Sequence, residues 1–154
     1  LEQKQVLLNE DRVALNEATA AVCAACQSEA AQKGVTLRAE TDCFLPIWGD
    51  NVRLQQVVQN LVTNAIHYTP AGGSIHVDCR AEGETACVSV QDTGCGIAPE
   101  DQETIFEPFV THKPDGTGLG LAITRRIIQA HHGTVTLNSV LHNGTTFILT
   151  LPVQ

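Results

Sequence analysis

Three groups of residues in this chain have types and spacings suited to chemistry on a phosphorylated, base-bearing ligand. The first is Gln56, Asn60, Asn64 and His67, spaced so that all four lie close to one face of a helix. Exposed helix faces usually carry Glu and Lys, which form helix better than Asn. Carboxamide oxygens are hard, neutral ligands that can hold Mg²⁺ beside a polyphosphate without adding negative charge. A merely solvated polar face explains the same spacing, and the spacing alone leaves both readings open. The second group is Asp92-Thr93-Gly94-Cys95-Gly96 at the end of a strand-like run. A carboxylate there can accept from an exocyclic amine such as that of adenine, with glycines letting the backbone approach a flat ring; an ordinary turn has the same pattern. The third is Gly116-Thr117-Gly118-Leu119-Gly120-Leu121, running straight into a helix. Glycines there expose N–H donors and the positive end of the dipole to an anion. The dinucleotide pattern Gly-x-Gly-x-x-Gly fails because position 121 is Leu, and no Gly-Lys-Ser/Thr of a P-loop is present.

Between the second and third groups lie Phe106-Glu107-Pro108-Phe109 and then Val110-Thr111-His112-Lys113-Pro114-Asp115. Apolar anchors followed by a short polar segment read as a hinged lid, with core filling the plainer role for Phe106 and Phe109. Lys113 is the only Lys after position 34, and it is placed to meet a terminal phosphate.

Regular elements must position these groups. Residues 1–12 are mostly polar and read as a connector. Residues 13–33 form an Ala-rich helix with Leu15, Ala18, Val22, Cys26 and Ala30 on one stripe, stopped by Gly34. Val35, Leu37 and Ala39 alternate with polar residues as a strand. Residues 44–50 read as an extended link ending in Asp50, an N-cap. The next helix carries Leu54, Val57, Val58, Leu61, Val62, Ala65 and Ile66, a continuous amphipathic stripe. Strands over 74–81 and 85–92 form a hairpin, a short helix follows Pro99, and a third long helix covers about 118–131, capped by Gly133. Strands over 134–140 and 145–151 close the chain. The expected class is α+β: a two-layer α/β sandwich, a mixed sheet of about five strands with three long helices on one face.

Composition narrows the function classes. The 154 residues suit one domain, which buries roughly 68–70% of its unfolded surface. No apolar run approaches the ~20 residues of a membrane span. Nine Lys+Arg against seventeen Asp+Glu argue against a general phosphate-backbone binder, so no nucleic-acid partner is expected. The chain has no Met and opens Leu1-Glu2-Gln3, from which we expect a piece of a longer protein. Of six cysteines, only Cys23 and Cys26 form a CxxC pair, and nothing completes a tetrahedral metal site. Cys79 and Cys87 are spaced to face each other across the hairpin, but reduced, buried thiols are the simpler reading.

Four boxes in this order, Asn60-x-x-x-Asn64-Ala65, Asp92-x-Gly94-x-Gly96, Phe106-x-Pro108-Phe109 and Gly116-x-Gly118-x-Gly120-Leu121, resemble the ATP-binding catalytic domain of bacterial sensor histidine kinases. That family belongs to the GHKL ATPase superfamily, whose fold is the Bergerat type. The closing Gly144-Thr145-Thr146-Phe147-x-Leu149-x-Leu151-Pro152 also resembles that family's end, and the resemblance covers about residues 13–152. It implies that Asp92 bonds the adenine amine, that Gly94 and Gly96 shape the base pocket, and that Ile97 and Tyr68 lie near the nucleotide. It implies Mg²⁺ on Asn64 with Asn60 beside it. It places Phe109, Lys113, Gly116, Thr117, Gly118, Leu119, Gly120, Leu121 and Thr146 around ATP, with Asn60 and Lys113 acting in catalysis. The superfamily's hydrolases carry a Glu base on this helix, where Gln56 and Asn60 offer none, so a transferase is expected rather than a fast ATPase.

Two departures stand out. His67 occupies the place of a phosphate-contacting Lys, which would make nucleotide affinity pH-sensitive near about pH 6.5. The lid between Phe109 and Gly116 has only six residues. None of the six histidines is followed by Glu or Asp, as the family's phosphoacceptor is. The acceptor is therefore expected on a helical dimerisation domain elsewhere in the protein, with a response regulator downstream. The piece itself would be a cytoplasmic monomer and the intact kinase a homodimer. The competing reading is a degenerate nucleotide-binding docking or sensing module without phosphotransfer.

Overall fold

The computed structural model describes residues 7–107 and 120–153. Eleven elements are described: β1 (Asp11–Ala14), α1 (Leu15–Lys33), β2 (Thr36–Glu40), β3 (Pro46–Gly49), α2 (Asn51–Tyr68), β4 (Ser74–Glu82), β5 (Thr85–Asp92), α3 (Pro99–Gln102), α4 (Gly120–Ala130), β6 (Thr134–Ser139) and β7 (Thr145–Pro152). The main sheet has order β2-β4-β5-β7-β6, parallel only between β2 and β4. Four helices are described, the three long ones and α3, the single turn after Pro99.

Two short strands depart from expectation. Asp11 and Arg12, expected in the connector, pair with Gly49 and Trp48 in a two-stranded antiparallel ribbon of β1 and β3. Neither strand alternates over enough residues for its periodicity to register. The ribbon brings the start of α1 beside the start of α2, and Leu15 N–H donates to Leu45 O at 2.8 Å.

The core lies between the sheet and α1, α2 and α4. Every apolar residue of the α2 stripe is buried, as are the five expected on α1. Each such aliphatic side chain contributes about 1.5–3 kcal/mol on burial, so the α2 stripe is the main fastening of helix to sheet. Asp50 caps α2 by accepting from Arg53 N–H at 3.1 Å. At the other end Lys33 Nζ donates to Ile66 O at 2.7 Å and to His67 O, satisfying carbonyls that α2 leaves unpaired. On α4 the buried residues are Ala122, Thr124, Ile127 and Ile128. Thr124 turns inward to meet α2, where its Oγ1 accepts from Asn60 Nδ2 at 3.4 Å. The left-handed residue after α4 is His132 (φ +62°), not Gly133. Gly133 instead lets β6 pass against Thr150 O, where a Cβ would overlap.

All six cysteines are free. Cys79 stands opposite Val88, so Cys87 lies on the other face of the sheet and no bridge can join them. Burial pushes the Cys23 thiol up to about 12 and Cys79 up to about 11. Such thiols are inert packing.

Candidate active site

Asp92 ends β5 on the core face and is 7% exposed. Its Oδ1 accepts from Gly94 N–H at 2.9 Å and from Thr145 N–H at 3.2 Å. Oδ2 accepts from no described residue, which leaves it for a ligand's donor. Burial raises the carboxyl above the ordinary Asp value, and the Gly94 and Thr145 N–H bonds pull it back only in part. An uncompensated buried carboxylate of this kind is characteristic of functional sites.

The structure changes the roles of the glycines around Asp92. A Cβ at Gly94 would stand 2.5 Å from Tyr68 O, and one at Gly96 (φ +72°) would overlap Val140 O. One at Gly144 (φ +89°) would overlap Asp92 O. The gaps are filled by protein backbone, not left open for a flat ring. The glycines hold the β5 loop between the end of α2 and the β6–β7 turn, and Asp92 gains its position from that clamp.

Thr146 requires a correction. It pairs with Gln91 and Asn138 on the open face of the sheet, whereas Thr145 is the residue beside Asp92. Adjacent strand residues point to opposite faces, so the two threonines cannot share a site. Thr145 Oγ1 lies 2.8 Å from Ser139 Oγ, which accepts from Ile97 N–H at 2.7 Å. Gln102 Nε2 closes the network on Ile97 O (2.8 Å) and Ser139 O (3.1 Å). Ile97 is thereby fixed to the end of β6. Ser139, Gln102 and Thr145 escape sequence reading because their roles depend on the β6–β7 register.

Along α2, Tyr68 and Asn64 lie nearest Asp92's end, and Asn60 lies further back. Tyr68 and Asn60 are eight residues apart, a rise of about 12 Å. Asn64 is buried, and its carboxamide bonds no described residue. Asn60 Nδ2 donates to Gly120 O at 3.3 Å and to Thr124 Oγ1 at 3.4 Å. This ties α2 to the first turn of α4 and leaves the Asn60 oxygen unengaged by described residues. His67 is exposed, its ring edge-on to Tyr68 at 5.0 Å. Leu121 is half-buried against the core. Phe106 sits edge-on to Phe147 at 6.1 Å with the Arg125 guanidinium 5.8 Å above it, so it fills core. Phe109, Lys113, Gly116, Thr117, Gly118 and Leu119 lie outside the described residues. Asp92, the buried acceptor, and Asn64 thus stand toward one end of α2, and Asn60 stands further along it beside Gly120, the N-terminal residue of α4. Neutral carboxamide oxygens next to that N-terminus fit a hydrated Mg²⁺ bound to phosphate.

Residues 49–154 match the sequence profile of the family described as histidine kinase-, DNA gyrase B-, and HSP90-like ATPase. Sporulation kinase B of Bacillus subtilis (strain 168) is 41% identical over 128 residues, 82% of this chain and 30% of its own. The solved catalytic domain of histidine kinase ThkA superposes with a TM-score of 0.85 at 33% identity, covering 94% of this chain and 98% of that one. Full-length ShkA, solved in complex with AMPPNP, superposes with a TM-score of 0.87 at 31% identity, covering 97% of this chain and 32% of that one. ThkA has also been solved in complex with the response regulator protein TrrA, where the match is 32% identical with a TM-score of 0.82, over 96% of this chain and 42% of that one. The chain spans about a quarter to a third of the length of the curated relatives it matches.

Proposed function

The chain belongs to the histidine kinase-, DNA gyrase B-, and HSP90-like ATPase family as a sensor-histidine-kinase catalytic domain, and from that premise we propose that residues 13–154 bind Mg-ATP and present its γ-phosphoryl group to a histidine on a helical domain of the same protein. The observation that carries the proposal is Asp92, buried, with Oδ1 held by two backbone N–H groups and Oδ2 left to accept the adenine amine. Ile97, Tyr68 and the glycine clamp of Gly94 and Gly96 shape the base pocket around it. Asn64 and Asn60 would hold Mg²⁺, which would supply neutralisation of phosphate charge. By the family resemblance, Phe109, Lys113, Gly116, Thr117, Gly118, Leu119, Gly120, Leu121 and His67 would also contact the nucleotide.

The chain's own contribution is orientation and charge placement. The incoming imidazole nitrogen forms the N–P bond as the bridging P–O bond breaks and ADP departs. No carboxylate on the polar face of α2 stands ready to activate water, which favours transfer over hydrolysis. The ThkA complex supports a response regulator as the next acceptor, and the AMPPNP complex of ShkA supports the nucleotide. No described helix is long and apolar enough to cross a membrane. On the family resemblance we assign the domain to the cytoplasm, as a monomer in isolation and part of a homodimer in the whole kinase.

The test is an incubation with γ-labelled ATP and the separately made helical domain. Acid-labile, base-stable label on that domain is expected. Tight Mg-ATP binding without any label transfer would replace the kinase reading with a nucleotide-sensing or docking module.

A further inference from the structure

His131, the first residue beyond α4, is 4% exposed, and the proposed reaction has no use for it. Its Nδ1 lies 2.8 Å from Ile127 O, and a carbonyl can only accept, so Nδ1 carries the proton. Nε2 then has a lone pair, and it accepts from Asp50 N–H at 3.0 Å. Asp50 is the N-cap of α2, its carboxylate accepting from Arg53 N–H at 3.1 Å and Asn9 N–H at 2.9 Å. Burial pushes that carboxyl up, but these N–H groups and that of Val52 outweigh it and hold it below the ordinary Asp value. Gly49 leaves room for the ring: a Cβ there would stand 2.6 Å from His131 Cδ2 and 2.8 Å from Nε2.

One imidazole therefore ties the C-terminal end of α4 to the N-terminal end of α2. Among the described residues, a second polar tie between these helices is Asn60 on Gly120 O and Thr124, at the opposite end of α4. The eleven residues of α4 separate the two ties by about 16 Å. Between them Ile127 and Ile128 supply apolar contact, which is strong but does not fix axial position. Hydrogen bonds are directional and do.

We propose that His131 is a positioning residue for the nucleotide site: its bond to Asp50 sets the register of α4 along α2, and so where Gly120 stands relative to Asn60 and Asn64. The inference rests on the nucleotide reading above. Glutamine and asparagine separate the two ring nitrogens. His131→Gln puts an amide oxygen where Nε2 accepts from Asp50. His131→Asn keeps only the local bond to Ile127 O.

The experiment measures thermal midpoint and calorimetric Mg-ATP affinity for the whole chain, its two amide variants and Asp92→Asn. Both amide variants should melt a few degrees lower, each having lost one buried hydrogen bond. Only His131→Asn should bind more weakly, by on the order of fivefold, with His131→Gln within about twofold of wild type. Equal affinity in the two amide variants would overturn the inference and leave His131 a stability residue. Undiminished binding by Asp92→Asn would overturn the pocket assignment separately, and a wild-type chain that bound no Mg-ATP would overturn both. If His131→Asn does not fold, His131→Phe repeats the test, keeping the ring volume without either nitrogen.

Discussion

Asp92→Asn should separate binding from stability, moving one sharply down and the other not down at all. The amide is isosteric with the carboxylate, and its oxygen can still accept from Gly94 N–H and Thr145 N–H at 2.9 and 3.2 Å. What changes is the second position, where an NH₂ donor replaces Oδ2 and faces the adenine amine, another donor. A hydrogen bond to a charged group contributes about 1.5–3 kcal/mol, so Mg-ATP affinity should fall about 10- to 150-fold. Stability follows the opposite logic. Burial raises the folded carboxyl above its unfolded value, with the Gly94 and Thr145 bonds lowering it only in part. Between those two values the folded state binds more protons than the unfolded one, so stability is lost as pH rises through the folded pKa. The Asn variant has no such ionisation. Its thermal midpoint should match wild type well below the ordinary Asp value and equal or exceed it at pH 7. Calorimetric titration at pH 7 and melting curves from pH 3 to 8 check both arms. Unchanged affinity would refute Oδ2 as the adenine acceptor. A variant that melts lower at pH 7 than wild type, but not in acid, would refute the buried-charge argument.

Lys33→Met should lower stability by about 0.5–1 kcal/mol, since it strips the cation from Ile66 O and His67 O at the end of α2, and thermal melting reads it. Thr145→Val should weaken Mg-ATP binding several-fold by breaking the Ser139 link behind Asp92, whereas Thr146→Val should leave affinity within twofold, a contrast that titration of the two variants checks. Gly96→Ala should cost at least about 2 kcal/mol, combining a left-handed backbone (φ +72°) with overlap on Val140 O, seen as a drop in denaturation midpoint.

Much of this architecture was legible before any coordinates, for a definite reason. The α2 stripe repeats over many turns, so its buried set from Leu54 to Ile66 follows from spacing alone. The five-stranded sheet and its hairpins follow from alternation punctuated by Gly and Asn. The β1–β3 ribbon did not, since four-residue strands carry too little periodicity and their partner is far along the chain. The inward turn of Thr124 on α4 was hidden because a threonine scores as polar until Asn60 is known to face it.

Residue types at short range determined the chemistry: Asp92 as an acceptor, Asn60 and Asn64 on one helix face, glycines where the backbone must crowd. Each of those depends on neighbours within a few positions. Tertiary structure decided which of two adjacent threonines stands beside Asp92, why Gly94 and Gly96 must lack side chains, and where the two nitrogens of His131 find partners. Strand register and helix-against-helix contact set all of these, joining residues 53 positions apart for Asp92 and Thr145 and 81 apart for Asp50 and His131. A side-chain parity or a buried proton can be assigned only once such distant segments are in place.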